Sequence, residues 1–205
     1  MTQRKLAGLK PESVFRYFEE ICAIPHGSGN TKLISDYLVA FAQEHDLRYI
    51  QDELNNVILF ADGTAGYEEH PPVILQGHMD MVCEKDVDCA IDMEHDGLDI
   101  AHDGGYVFAK GTTLGGDNGI AVAYGLAILA DKTIPHPPLE VVITVDEETG
   151  MFGAAGIDLS MLKGRTLLNM DSEEEGVFTV SCAGGVRTGC TLPVSRAAFD
   201  GETVL

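Results

Sequence analysis

The run Val73-Ile74-Leu75-Gln76-Gly77-His78-Met79-Asp80 constrains this chain more than any other stretch, because a strand-forming sequence leads straight into two residues able to do metal chemistry. Pro71-Pro72 introduces it, and Val73 to Leu75 are β-branched or aliphatic, the pattern of a buried strand in a parallel sheet. Ligands of such sheets collect at the carboxyl ends of the strands. With strand geometry kept as far as Asp80, the side-chain period of two puts His78 and Asp80 on one face, where a carboxylate can orient an imidazole towards a metal. A polar strand end is the plainer reading of the same two residues. The rest of the chain decides between them.

Two more apolar runs end in acids. Leu139 to Val145 is followed by Asp146-Glu147-Glu148-Thr149-Gly150, and Thr166 to Met170 by Asp171-Ser172-Glu173-Glu174-Glu175-Gly176. Tyr106 to Ala109 predicts a short strand leading into Gly111-Thr112-Thr113-Leu114-Gly115-Gly116-Asp117-Asn118-Gly119. Ile120 to Leu129 is then an almost wholly apolar helix that has to be buried. Upstream, Pro11 to Ile24 carries a helical stripe of Val14, Phe15, Phe18, Ile21 and Cys22. Asn30 is placed to cap a second helix with Leu33, Ile34, Tyr37, Leu38 and Phe41 on its apolar side. His26 reads as a solvated turn residue. Leu47 to Gln51 and Val57 to Ala61 predict two strands joined around Asn55-Asn56, and Val177 to Cys182 predicts a further strand before a Gly184-Gly185 hinge. The alternation gives an α/β fold: a mixed, mainly parallel sheet layered by helices.

Glu84 to Gly105 is acidic and rich in Asp and Gly, an excursion from the core. Its Asp92-x-Glu94-x-Asp96-Gly97 resembles a calcium loop but lacks the closing Glu and flanking helices. Thirty-three acidic against thirteen basic residues give a net charge of −20, which opposes nucleic acid and anionic membranes and suits divalent cations. No apolar run approaches the roughly 18 residues of a membrane span, and no secretory signal opens the sequence, so the expected location is cytoplasmic. Five cysteines without a Cys-x-x-Cys pair fit reduced thiols in such a compartment.

His78, Asp80, Asp117, Glu147, Glu148 and Asp171 would meet if the strands run parallel, and five carboxylates around one imidazole repel prohibitively unless cations lie among them. Two divalent ions about 3.5 to 4 Å apart, bridged by one carboxylate, fit that count better than one. Adjacent Glu147 and Glu148 point opposite ways on an extended backbone, so one can ligate while its neighbour addresses a water. A Gly-rich phosphate cradle is the competing reading of residues 111–119, but neither Gly-x-Gly-x-x-Gly nor a Gly-Lys-Thr ending is present.

The motifs Gln76-Gly77-His78-Met79-Asp80-Met81-Val82, Lys110 to Gly119, Asp146 to Gly150 and Asn169 to Gly176 together resemble the aminoacyl-histidine dipeptidases, also called Xaa-His dipeptidases or peptidase D, of the co-catalytic zinc metallopeptidase clan. The resemblance implies that His78, Asp117 and Asp171 hold one zinc and that Asp117 bridges to a second held by Glu148. It makes Glu147 the general base and Asp80 the partner of His78, and it implies a cis peptide at Asp117-Asn118. The implied substrates are Xaa-His dipeptides, carnosine-like ones included. Mn2+ or Co2+ are possible in place of zinc at an oxygen-rich site. A tripeptidase or deacylase of the same clan, or an inactive metal-binding fragment, are the alternatives.

In that family a lid and dimerisation domain follows the strand corresponding to Val177 to Cys182, and a last His for the second zinc comes from beyond it. Residues 1–183 are therefore expected to be the N-terminal part of a catalytic domain and 184–205 the start of a lid, with the chain an N-terminal fragment of impaired activity. Homodimerisation through the lid is expected of the complete enzyme.

Overall fold

A computed structural model, which describes residues 4–172, 174–186 and 188–195, has seven strands and four helices among those residues. The chain divides into two units, Met1–Ser172 and Glu173–Leu205, and the helices and strands of the described residues lie in the first. The stripe Val14, Phe18, Ile21 and Cys22 is the buried side of α1 (Glu12–Cys22), and Ile34, Leu38 and Phe41 that of α2 (Lys32–Glu44). β1 (Arg48–Gln51) and β2 (Val57–Ala61) form an antiparallel pair. β3 (Val73–His78) is the strand read from its apolar run.

Two elements of the acidic excursion and its return, β4 (Ile100–His102) and β5 (Val107–Ala109), make a small antiparallel ribbon. Only β5 carries a strand signal, because β4 lies within the acidic stretch rich in Asp and Gly. α3 (Gly116–Ala130) starts earlier than the apolar run because its first turn is irregular: Asp117 and Asn118 have non-helical backbone angles and are joined by a cis peptide. β6 (Leu139–Thr144), α4 (Phe152–Gly156) and β7 (Thr166–Asn169) complete the unit. α4 is a five-residue helix without a periodic stripe long enough to read.

The main sheet has the order β1-β2-β6-β3-β7. β3 lies between β6 and β7 and is parallel to both, while β1-β2 and β2-β6 are antiparallel. The mixed sheet is as expected, with its parallel part confined to the three strands that carry the site. Alternation along the strands separates two faces. Val57, Leu59, Leu75, Val141 and Ile143 join the three long helices in the main core, whereas Ile58, Phe60, Ile74 and Val142 pack on the other face with Ile157 and Leu162.

Glu140, also on β6, is buried there as a carboxylate accepting the N–H groups of Lys163 at 2.8 Å and Gly164 at 3.0 Å. That pair of bonds fixes the chain just before β7.

Three expectations are corrected. Asn30 does not cap α2: Thr31 holds that position without a side-chain bond, and the Asn30 amide donates instead to the Glu94 carbonyl at 2.9 Å. His26 is not solvated but 2% exposed. Val177 to Cys182 forms no strand among the described residues, and Phe178 and Val180 are exposed. A strand needs a neighbour to take its N–H and C=O groups, and none is paired with this segment. Of the stretch 184–205, residues 187 and 196–205 lie outside those described, as does Glu173; Glu174 and Glu175 are exposed.

Candidate metal centre

Register brings the functional side chains together. His78 ends β3 opposite Thr144, the last residue of β6, and Gln76 pairs with Asn169 at the end of β7. The three parallel strands thus release Asp80, Glu147 with Glu148, and Asp171 at one edge of the sheet, and the irregular first turn of α3 adds Asp117. Asn118 locks this arrangement. Its Oδ1 accepts the His78 N–H at 3.1 Å and its Nδ2 donates to the Met170 carbonyl at 3.1 Å, tying the exits of β3 and β7 to α3. Gly77 is required here because a Cβ would run into the Asn118 side chain. Gly115 has φ +69°, and a Cβ on it would stand 2.8 Å from Met81 Sδ.

His78 lies at the bottom of the cluster, 1% exposed. Its Nδ1 is 3.3 Å from Asp80 Oδ1 and 3.0 Å from the Asp80 carbonyl, both acceptors, so Nδ1 carries the hydrogen. Nε2 then faces three carboxylates: Asp117 Oδ1 at 3.2 Å, Asp171 Oδ2 at 3.8 Å and Glu147 Oε2 at 3.9 Å. Ligand atoms of His78, Asp117 and Glu148 lie within 4.8 Å of one another, and so do those of His78, Glu147 and Asp171. Every sequence-derived site residue is brought to this edge. Glu148 belongs to the first grouping and Glu147 to the second, and neither grouping is the expected set of His78, Asp117 and Asp171.

The electrostatics match a gathering of unlike roles. Burial pulls the His78 imidazole down, but the hydrogen bond and charge of Asp80, with Asp171 and Glu147, outweigh it and hold the group at about 9. Burial pushes Asp80 up, and the bonds from His78, Ser28 and the Glu147 N–H more than offset it, so its carboxyl sits below the usual range. Glu148 and Asp171 are both raised, first by burial and then by the charge of Asp117. Carboxylates that resist ionisation around a cationic imidazole are short of positive charge, and a divalent ion supplies it. One imidazole and four converging carboxylates besides Asp80 are a donor set that fits such an ion.

Sequence reasoning missed Ser28, whose Oγ donates to Asp80 Oδ2 at 2.8 Å, and Gly29, whose N–H donates to Asp146 Oδ1 at 2.7 Å. A Gly-Ser-Gly turn announces only a turn, and its partner lies fifty-two positions along the chain. The calcium-like motif is accounted for differently: Asp92 Oδ1 accepts the Glu94 N–H at 3.1 Å, Asp92 Oδ2 meets His95 Nδ1 at 3.0 Å, and Asp96 Oδ2 accepts the Asp92 N–H at 2.9 Å. Those carboxylates hold their own turn, which lends Met93, Glu94 and His95 to a cavity of about 660 Å3 shared with Ser28, Met81 and Glu148. A larger cavity, about 1010 Å3, lies at the other end of the strands beside Pro72 and Pro138, away from this chemistry.

Residues 74–187, more than half of the chain, match Peptidase family M20/M25/M40. The chain belongs to this family. It is similar to the cytosol non-specific dipeptidase of Escherichia coli (strain K12), 41% identical over 194 residues that make up 95% of this chain and 40% of that protein. The crystal structure of an aminoacylhistidine dipeptidase from Vibrio alginolyticus superimposes with a TM-score of 0.81 at 44% identity, over 83% of this chain and 35% of that one. A tripeptidase from Staphylococcus aureus shares the fold, with a TM-score of 0.66 at 24% identity over 79% of this chain and 43% of that one. The chain thus spans about 40% of the length of the curated relatives it matches. Among the described residues no helix is long and apolar enough to cross a membrane.

Proposed function

We propose that this M20-family chain forms the metal-binding N-terminal part of a dipeptidase that hydrolyses Xaa-His dipeptides, carnosine-like ones included. The observation that carries the reading is the convergence of Asp117, Glu147, Glu148 and Asp171 on His78. His78, Asp117 and Asp171 would hold one zinc, and Asp117 and Glu148 a second, with Mn2+ or Co2+ as possible substitutes. Bound there, the metals would supply Lewis acidity towards the scissile carbonyl and lower the pKa of a water. Glu147 takes a proton from the attacking water and returns it to the departing amine. Asp80 keeps the hydrogen of His78 on Nδ1 and so leaves Nε2 as the ligand atom.

The names of the similar proteins support peptide hydrolysis and differ in breadth, one non-specific and one aminoacylhistidine, so other dipeptides belong in the substrate panel. Residues 1–183 are proposed as catalytic-domain sequence and 184–205 as the beginning of a lid through which the complete enzyme would dimerise. The boundary follows the family resemblance, which puts the start of the lid after Cys182. A cytoplasmic location is supported by the cytosolic relative. Assaying zinc-supplemented protein extended to the length of its relatives against Xaa-His, other dipeptides and tripeptides, with Glu147→Gln beside it, tests the reading. Dipeptide hydrolysis lost in Glu147→Gln with metal retained supports it; unchanged turnover refutes the role of Glu147.

A further inference from the structure

The turn at residues 26–30 takes no part in the reaction proposed above, yet it is fastened to the elements that carry it. His26 Nδ1 is 2.6 Å from the Ile24 carbonyl and donates to it, while the His26 carbonyl accepts the Met81 N–H at 3.2 Å. The Ser28 N–H returns to the Met81 carbonyl at 3.3 Å, so the turn runs beside the exit of β3 as a parallel bridge between Gly27 and Met81. Gly27 leaves no room for a side chain, since a Cβ would lie 2.5 Å from Cys83 Sγ. At the far end the Asn30 amide is bonded to the Glu94 carbonyl.

Held in this way, Ser28 presents its hydroxyl to one oxygen of Asp80 alone. Oδ2 accepts from Ser28 Oγ at 2.8 Å, and Oδ1 accepts the Glu147 N–H at 3.1 Å while facing His78 Nδ1. The side chain of Asp80 is wholly buried. Among the described residues, Ser28 is the one donor to Oδ2. A buried carboxylate oxygen with no donor is costly, and a carboxylate fixed through one oxygen is free to turn about its Cβ–Cγ bond. The next residue adds a second tie: Gly29 N–H holds Asp146, the neighbour of Glu147.

We infer that Ser28 is a positioning residue of the metal centre: its hydroxyl sets the orientation of Asp80, and through Asp80 the placement of the His78 ring and its hydrogen. The inference rests on the metal-centre reading of His78. Residues that orient a metal-bound histidine through a carboxylate change affinity for the ion without touching it. Thr and Val at this position have nearly the same shape and differ in the hydroxyl, so they separate a hydrogen-bonding role from a packing one.

The experiment compares Ser28→Thr and Ser28→Val in the full 205-residue chain. Zn2+ affinity is read by competition with a chromophoric chelator, and the His78 Nδ1–H signature by 15N NMR of the metal-free protein. Ser28→Val should weaken zinc about tenfold and shift the His78 nitrogen resonances, whereas Ser28→Thr should stay within about twofold of the parent with its spectrum kept. Equal affinity and an unchanged spectrum in Ser28→Val overturn the inference, as does equal weakening in both variants. If the parent chain takes up no zinc, the metal reading fails separately, and the NMR comparison still judges Ser28 by the same two outcomes. Should Ser28→Val not fold, Ser28→Ala against Ser28→Thr asks the same question.

Discussion

Asp80 and His78 face each other where β3 runs out, the carboxylate Oδ1 3.3 Å from the imidazole Nδ1, and neither side chain is more than 1% exposed. Burial alone would strip both of charge; together, each stabilises the ionised form of the other. Asp80→Asn keeps the shape and removes the charge. Zinc affinity should fall by about ten- to a hundredfold, measured by isothermal titration, with the melting profile of the metal-free chain less affected than the affinity. An affinity equal to the parent's would show that Asp80 does not set the ligand.

The same pair fixes a pH dependence. His78 in the metal-free chain should titrate at about 9, visible by NMR of its ring, and addition of zinc should abolish that titration. Because folding raises this pKa, the protonated His78 contributes stability that is complete below its unfolded value of about 6.5 and is lost as pH rises through about 9. Asp80 works in the opposite sense: its depressed pKa contributes stability above about 3.9 that disappears as pH falls through the lower folded value. A His78 resonance titrating near 6.5 would contradict the packing of carboxylates around it.

Gly77→Ala tests the close approach of α3 to β3. The added methyl has to displace the Asn118 side chain and also meets Ala121 Cβ at 3.0 Å, so the variant should lose about 1 to 3 kcal/mol in chemical denaturation. Zinc affinity should fall with it, since Asn118 ties His78 to Met170. Unchanged stability would mean that the helix start has room to move.

Much of this architecture was legible because periodicity reports burial. The runs at Val73 to Leu75, Leu139 to Val145 and Thr166 to Met170 became three adjacent parallel strands, and acids following each run became one cluster. What pattern could not report was pairing across distance. Asn30 has the chemistry of a helix cap but is drawn to Glu94 sixty-four positions on, and His26, in a Gly-Ser-Gly turn, is buried because Met81 and Gly115 close over it. Ser28 acquires a role only from Asp80. Val177 to Cys182 alternates like a strand, but alternation states a preference for a pleated surface and not the presence of a neighbour.

Glu140 offers a control far from the metal ligands. Glu140→Ala removes the acceptor for the buried Gly164 N–H and the partly buried Lys163 N–H, so the chain should lose about 1 to 3 kcal/mol of stability by denaturant titration. Zinc affinity per folded molecule should stay within about threefold, the range expected of a site without shared partners. A parallel collapse of affinity would mean that the loop before β7 helps to place Asp171.

On the reading proposed above, the ends of three parallel strands and the first turn of α3 assemble a divalent-cation centre on His78. A zinc titration of the metal-free chain beside His78→Ala and Asp117→Asn tests it most directly. The parent should take up zinc saturably, Asp117→Asn should lose at least about tenfold in affinity, and His78→Ala should bind almost none. Uptake by His78→Ala indistinguishable from the parent's, or none by the parent, would contradict it.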